Sequence, residues 1–156
     1  LVVSIIVESK QVRWDFECVI YGEAASAKNS RRIVSVAGKP RLIKSAKALK
    51  YEKTFHSQCP QLGETLEGDC ALSIDVYYAS RRPDLACVDL IQDLLQGRVY
   101  ANDRQVKASQ SFWNLDKENP RCRIRVRRLE IDTSQGVSSY EPFEIWGEEE
   151  RPKSQG

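Results

Sequence analysis

Four aspartates crowd one short stretch of this chain. The run Arg81-Arg-Pro-Asp-Leu-Ala-Cys-Val-Asp-Leu-Ile-Gln-Asp-Leu-Leu-Gln-Gly-Arg-Val-Tyr-Ala-Asn-Asp-Arg-Gln-Val106 places Asp84, Asp89, Asp93 and Asp103 among Arg81, Arg82 and Arg104. Carboxylates are hard oxygen donors, and magnesium commonly takes only one or two of them, completing its shell with water and phosphate. Acids interleaved with arginines therefore fit a cation that works on a phosphate. Each aspartate also has an ordinary reading. Asp84 would serve as a helix N-cap, Asp89 and Asp93 as the wet side of an amphipathic helix, and Asp103 as a turn residue. Taken together, the four favour the cation site.

The elements that must position these acids can be read from periodicity. Cys87, Leu90, Ile91 and Leu94 recur at three- and four-residue spacing, so the middle of the stretch is expected to be a short helix. Asp89 and Asp93, four apart, share its opposite face and repel mildly. Pro83-Asp84 reads as the start of that helix and Gly97 as its stop. Asp103 then falls in a loop or at the start of a strand. Upstream, Asp69 to Tyr78 alternates strongly as a strand and delivers the chain to Arg81, with Asp75 on its less apolar face as an outlying acid or a surface residue. Asp15 to Tyr21 alternates as a half-buried strand, and Lys44 to Gln58 reads as a helix with Ala48, Tyr51 and Phe55 as its apolar stripe. Between them, residues 23–42 read as a long loop, a length that is usually functional or disordered.

Downstream, 104–113 and 120–129 read as two strands joined as a hairpin through the polar Asn114–Asn119. Phe112 and Trp113 point to opposite faces, so at most one belongs to the core. The other is open to base stacking or a dimer contact. On the last strand Arg121, Arg123, Arg125 and Arg127 alternate with Cys122, Ile124 and Val126. That arginine row lines a duplex backbone or is the wet face of a protected edge strand.

At 156 residues the chain is long enough for one domain with a real core. The net charge of +2 is uneven. Residues 133–156 hold five acids against Arg151 and Lys153, a balance of −3, so the remainder carries +5. From Arg31 to Lys53 eight Lys or Arg face Glu52 alone, the densest source of phosphate contacts in the chain. Five scattered cysteines without a C-x-x-C pair, and His56 as the one histidine, argue against a zinc site and a His-based triad. Free buried thiols fit a reducing cytoplasm. The apolar run at residues 1–7 is too short for a membrane span and is expected to be a strand or a loose arm. Nothing calls for a small-molecule cofactor.

Two motifs, in order, carry a family resemblance. Arg82-Pro-Asp-Leu85, Ile91-Gln-Asp-Leu-Leu95, Gly97-Arg-Val-Tyr100 and Asn102-Asp-Arg-Gln-Val106 resemble a pattern of RusA-type Holliday junction endonucleases. That pattern runs Arg-x-Asp-Leu-Asp-Asn, a Lys-bearing helix ending Leu-Asp-Ala-Leu, then Gly-x-Val-Tyr-x-Asp-Asp-x-Gln-Val. Upstream, Lys28-Asn-Ser-Arg-Arg32 and Ile43-Lys-Ser-Ala-Lys-Ala48 with Tyr51 resemble the family's Asn-Ser-Arg-Arg loop and Lys-Ser-x-x-Ala-x-x-Tyr helix start. The likeness covers residues 14–128. The family's second Asp is Ala86 here, the following Asn is Cys87, and the helix lysine has no counterpart, Asp89 standing about where it would fall.

The resemblance implies an α+β fold, a small mixed β-sheet of about four strands with two helices packed on it. It also implies a magnesium-dependent, structure-selective endonuclease that resolves four-way DNA junctions as a homodimer. The alternative is a catalytically inactive protein that only binds branched DNA. Asp84 and Asp103 carry over as metal-binding acids and Asp93 as a motif position. Asp89 is the candidate to replace the lost carboxylate. Asn29, Arg31, Arg32, Lys44, Lys47, Arg81, Arg82 and Arg104 are the expected DNA contacts. The expected organisation is an N-terminal arm (1–13), a nuclease domain (14–131) and a flexible acidic tail (132–156), in which Tyr140, Phe143, Ile145 and Trp146 are able to dock as a patch.

Overall fold

A computed structural model of the protein describes residues 12–26, 31–130 and 140–147. The expected arm at residues 1–11 and most of the expected tail, 131–139 and 148–156, lie outside the described residues, as do the side chains of Arg31, Phe143 and Glu144. The architecture is α+β, as expected. Strands β1 (Phe16–Tyr21), β4 (Cys70–Tyr78), β5 (Val106–Leu115) and β6 (Arg121–Arg128) form a mixed sheet in the order β1-β6-β4-β5. Helices α1 (Ala46–Gln58) and α2 (Val88–Leu95) share one core with this sheet, and α3 (Pro142–Trp146) follows it. Strands β2 (Arg31–Val36) and β3 (Lys39–Lys44) make a separate hairpin.

Alternation decides which face each strand buries. Phe16, Cys18 and Ile20 of β1, Leu72, Ile74, Val76 and Tyr78 of β4, and Cys122, Ile124 and Val126 of β6 point into the core. Tyr51 and Phe55 of α1 and Leu90, Ile91, Leu94 and Leu95 of α2 meet them there. Ser45 caps α1, its hydroxyl accepting from the Ala48 N–H at 3.2 Å, a contact worth about 1 kcal/mol to a helix. Tyr51 is a core residue, as its position on the stripe predicts, and its hydroxyl reaches Cys122 Sγ at 3.7 Å. All five cysteines are buried and free.

The expected β5–β6 hairpin does not form. β5 pairs with β4 in parallel and β6 pairs with β4 antiparallel, so β4 lies between them. The reason is burial. Cys70 through Ile74 are buried on both faces, so β4 needs a neighbour on each side and takes the centre. The 116–120 connection passes over its end, where the Asp116 N–H donates to the Tyr78 carbonyl at 2.8 Å. β4, α2 and β5 thus make a βαβ unit, and the segment bearing the aspartates is its crossover.

β6 is also interior, between β1 and β4, so the edge-strand reading of its arginines fails. Their guanidinium groups serve the protein itself. Arg121 pairs with Asp116 at 2.8 Å and lies 3.9 Å over the Tyr77 ring. Arg123 pairs with Glu17 at 2.7 Å. Arg125 is buried, 3.6 Å from Asp75 and 4.7 Å over the Trp14 ring. Arg127 donates to the Ile145 carbonyl at 2.8 Å. Asp75 is therefore half of a structural ion pair.

This second face of the sheet is where residues 140–147 dock. Ile145 is buried with Ala71 and Leu129, the Trp146 ring lies 6.3 Å from that of Trp14, and the Tyr140 hydroxyl donates to Asp69 at 3.0 Å. Trp113 packs against the main core, while Phe112, beside Asp75 in register, lies half-buried on the second face.

The segment expected to be a long loop is largely the β2–β3 hairpin. Its two-residue turn is Ala37-Gly38, with φ of 53° and 77°. Positive φ at both central residues is what a tight hairpin needs, and the run lacks the usual Asn-Gly signal.

Candidate active site

The Pro83-Asp84 segment leaves β4 and is held by two aromatic donors. The Trp113 indole N–H donates to the Pro83 carbonyl at 2.9 Å, and the Tyr78 hydroxyl donates to the Asp84 carbonyl at 2.8 Å. These bonds keep the chain out of helical geometry, so α2 begins at Val88 and not at Pro83-Asp84 as expected. Its N-cap is Cys87, which makes no side-chain capping bond. Asp84 is exposed, as are Arg81 and Arg82 before it.

Asp89 is exposed in the first turn of α2. There a negative charge complements the helix dipole by about 0.3–1 kcal/mol, and the higher propensity of Ala offsets a similar amount. Asp89→Ala is accordingly expected to change stability by less than about 1 kcal/mol in a thermal or urea melt. A raised divalent-metal requirement for cleavage in the same variant would make Asp89 a ligand.

The Asp103 turn meets α2 at its other end, the end that carries Asp93. Gln96 ties them: its N–H donates to the Asp93 carbonyl at 3.2 Å, and its side-chain oxygen accepts from the Asp103 N–H at 3.1 Å. Asp103 opens a 3₁₀ turn, Asp103–Gln105, capped by Asn102, whose side chain accepts from the Arg104 N–H at 2.9 Å. Gln105 anchors the turn. Its carbonyl oxygen accepts from the Ala101 and Asn102 N–H groups at 2.9 and 3.0 Å, and its amide donates to the Leu66 and Gly68 carbonyls at 2.8 and 2.9 Å.

Both acids act on the buried Tyr100, whose hydroxyl donates to the Gln92 carbonyl at 2.7 Å. Burial first, then the charge of Asp103, with Cys70 and Asp93 adding, pushes that hydroxyl well above its usual range. The charge of Asp84 acts elsewhere, on Tyr78, which burial and its bond to Cys87 chiefly push up. The eight-residue α2, about 12 Å long, separates the two places.

The structure thus links the Asp103 turn to the C-terminal end of α2, which carries Asp93, and leaves Asp84 and Asp89 at the N-terminal end. Among the described residues no group of three or more His, Cys, Asp or Glu is placed to hold a metal ion. The carboxylates of Asp93 and Asp103 are hard oxygen donors, the chemistry a magnesium ion takes when water and phosphate fill its remaining positions. The basic residues named by the motifs stand at separate places. Arg104 is exposed and its Nε donates to Asn102 at 3.3 Å. Arg32 is exposed on β2, and Lys44 pairs with Glu52 at 2.7 Å. Lys47 lines a cavity of about 570 Å³ with Lys50, Tyr51 and Pro83. Asn29 lies outside the described residues.

The family model described as endodeoxyribonuclease RusA matches residues 24–127. The chain belongs to the RusA family. The match takes in the β2–β3 hairpin, α1, and the whole βαβ unit that carries the aspartates. RusA-family proteins are endodeoxyribonucleases that act on Holliday junctions and generally depend on a divalent metal. No curated protein matches the chain. Among the described residues no helix is long and apolar enough to cross a membrane.

Periodicity and motif missed the residues that hold the site rather than form it. Gln105 sits inside the quoted motif, yet its role depends on carbonyls 37 and 39 residues away. Trp113 and Tyr78 read as sheet residues, and nothing local marks them as donors to the Pro83-Asp84 carbonyls.

Proposed function

We propose that this chain is a magnesium-dependent, structure-selective endonuclease that resolves four-way DNA junctions by phosphodiester hydrolysis, working as a homodimer in the cytoplasm. The observation that carries the reading is the Gln96 link between the Asp93 backbone and the Asp103 turn, inside the segment matched by the RusA family. Asp103 and Asp93 would hold the cation. Asp84, the other acid the motif carries, would meet the DNA backbone at the N-terminal end of α2. When bound, the cation supplies Lewis acidity and lowers the pKa of a coordinated water. Gln96 and the Gln105 clasp hold the Asp103 turn still, so that its carboxylate is preorganised. Arg81, Arg82 and Arg104 receive phosphates on either side, and Lys47 extends that surface onto α1. Two matched cuts are what resolution of a junction needs, and a two-fold dimer presents two such sites.

The second reading, a branched-DNA-binding protein without catalysis, is favoured by Ala86 and Cys87 at the motif's Asp-Asn positions and by the dispersal of the acids to both ends of α2. A nicking assay on a synthetic four-way junction, with and without magnesium, decides between them. Metal-dependent paired nicks establish the enzyme; tight binding without nicks at any magnesium concentration establishes the binder.

Replacing Arg31 and Arg32 together by Ala is expected to weaken binding to every DNA shape. The slope of log K against log salt should flatten by roughly two, about one for each lost phosphate contact. Gel shifts across a salt series check this, and an unchanged slope would return both arginines to the solvated surface.

A further inference from the structure

The β2–β3 hairpin is built unlike a solvent-facing ribbon. Residues 31–44 contain five cations, Arg31, Arg32, Lys39, Arg41 and Lys44, and no acid. Ile33 and Leu42 are direct cross-strand partners, so their side chains lie together on one face. They are 75% and 60% exposed, against half-buried Val34 and Ile43 on the other face. Lys44 and Pro40 flank Leu42 on its own face, at two-residue spacing. A lone two-stranded hairpin is only marginally stable in water, and this one turns its bare aliphatic pair outward.

Charge chooses what covers that pair. A second ribbon would set five cations against five with no acid between them, and like charges juxtaposed across an interface are costly. DNA offers the opposite sign. A two-stranded ribbon fits the major groove, about 12 Å wide, and apolar side chains that enter between base steps unstack them. A branch point already exposes base faces, so insertion there meets the least resistance.

We propose that the β2–β3 ribbon is a DNA wedge, in which Ile33 and Leu42 enter the base stack at a branch point while the cations, Lys44 on their own face and Arg32, Lys39 and Arg41 on the other, hold the ribbon to flanking phosphates. It rests on the reading that branched DNA is the substrate, and it adds how the protein distinguishes a branch from plain duplex. The cations give affinity without shape preference; the aliphatic pair gives the preference.

The test uses the full chain, a four-way junction carrying 2-aminopurine at its branch point, and a linear duplex of matching sequence. Wild-type protein is expected to raise 2-aminopurine fluorescence on the junction, the signature of unstacking. Ile33→Thr/Leu42→Thr keeps the charge and favours strand geometry. It is expected to lose the fluorescence rise and about ten-fold in junction affinity, with duplex affinity unchanged. Ile33→Val/Leu42→Ile, which keeps the aliphatic surface, should behave as wild type, and a melt of each variant separates loss of the wedge from loss of the fold. Equal fluorescence and equal affinity in wild type and the Thr variant would overturn the wedge alone. Failure of the wild type to bind either DNA would overturn the substrate reading with it. Conversion of a dimer to a monomer by the Thr variant in sedimentation, with fluorescence unaltered, would reassign the pair to self-association.

Discussion

Asp103→Asn is expected to abolish junction cleavage while binding persists or tightens. Asn is nearly isosteric with Asp, and the bonds that fix the turn, from the Asp103 N–H to Gln96 and from Gln105 to its four partners, do not involve the Asp103 carboxylate. The fold should survive. What disappears is a carboxylate whose charge acts on the buried Tyr100, and a neutral amide is a poor ligand for a hard cation. Even outer partners of metal ligands cost about 10–100-fold when removed, so loss of the ligand itself should exceed about 100-fold. Removing a negative charge beside the DNA path also lessens repulsion of phosphate. The checks are a nicking time course and a gel shift on the same four-way junction. Full cutting at ordinary magnesium would take Asp103 out of the site.

Gln105→Ala should damage both stability and catalysis. One side chain joins the Ala101-Asn102 backbone to the Leu66 and Gly68 carbonyls through four hydrogen bonds. At about 0.5–1.5 kcal/mol each, with the more exposed bonds contributing least, the loss is roughly 2–4 kcal/mol. In a domain whose whole stability is about 5–15 kcal/mol, that lowers Tm by roughly 5–15 °C. Below the melt, the turn that opens at Asp103 loses its clasp, so cleavage should fall while phosphate contacts elsewhere still retain DNA. Gln105→Glu separates the two halves of the clasp, because it keeps an acceptor for Ala101 and Asn102 and loses the donor to Leu66 and Gly68. A Gln105→Ala protein with wild-type Tm and cleavage would show the clasp to be dispensable.

The sequence made some of this legible and hid the rest for physical reasons. β1, β4 and α1 were readable because one buried face stamps a period of two or 3.6 on the chain, as Phe16, Cys18 and Ile20 or Tyr51 and Phe55 show. The start of α2 was misread because Pro83-Asp84 looks like a cap, and nothing local reveals that Trp113 and Tyr78 claim those carbonyls first. The pairing of β5 with β4 was misread because a short polar connection suits a hairpin, whereas the order of strands is set by how much of β4 must be buried. The hairpin β2–β3 was invisible because its turn uses Ala37 at a positive φ that Ala seldom adopts. Of the acids, the motif marked Asp84 and Asp103 as metal-binding and Asp93 as a motif position; that α2 divides them depends on helix length and register, which a motif does not encode.

The pairing of β1 with β6 has a consequence for how the molecule is made. Phe16 lies opposite Val126, 110 residues later. While the chain grows from the ribosome, β1 emerges early and then waits, its Phe16, Cys18 and Ile20 uncovered, until β6 is complete. The βαβ unit, whose partners are closer in sequence, is free to assemble first. Closing so long a loop is entropically expensive and comes late. The candidate active site should therefore take shape on a sheet that still lacks its first strand, and the half-built protein carries an open β6 edge that neighbouring nascent chains are able to join.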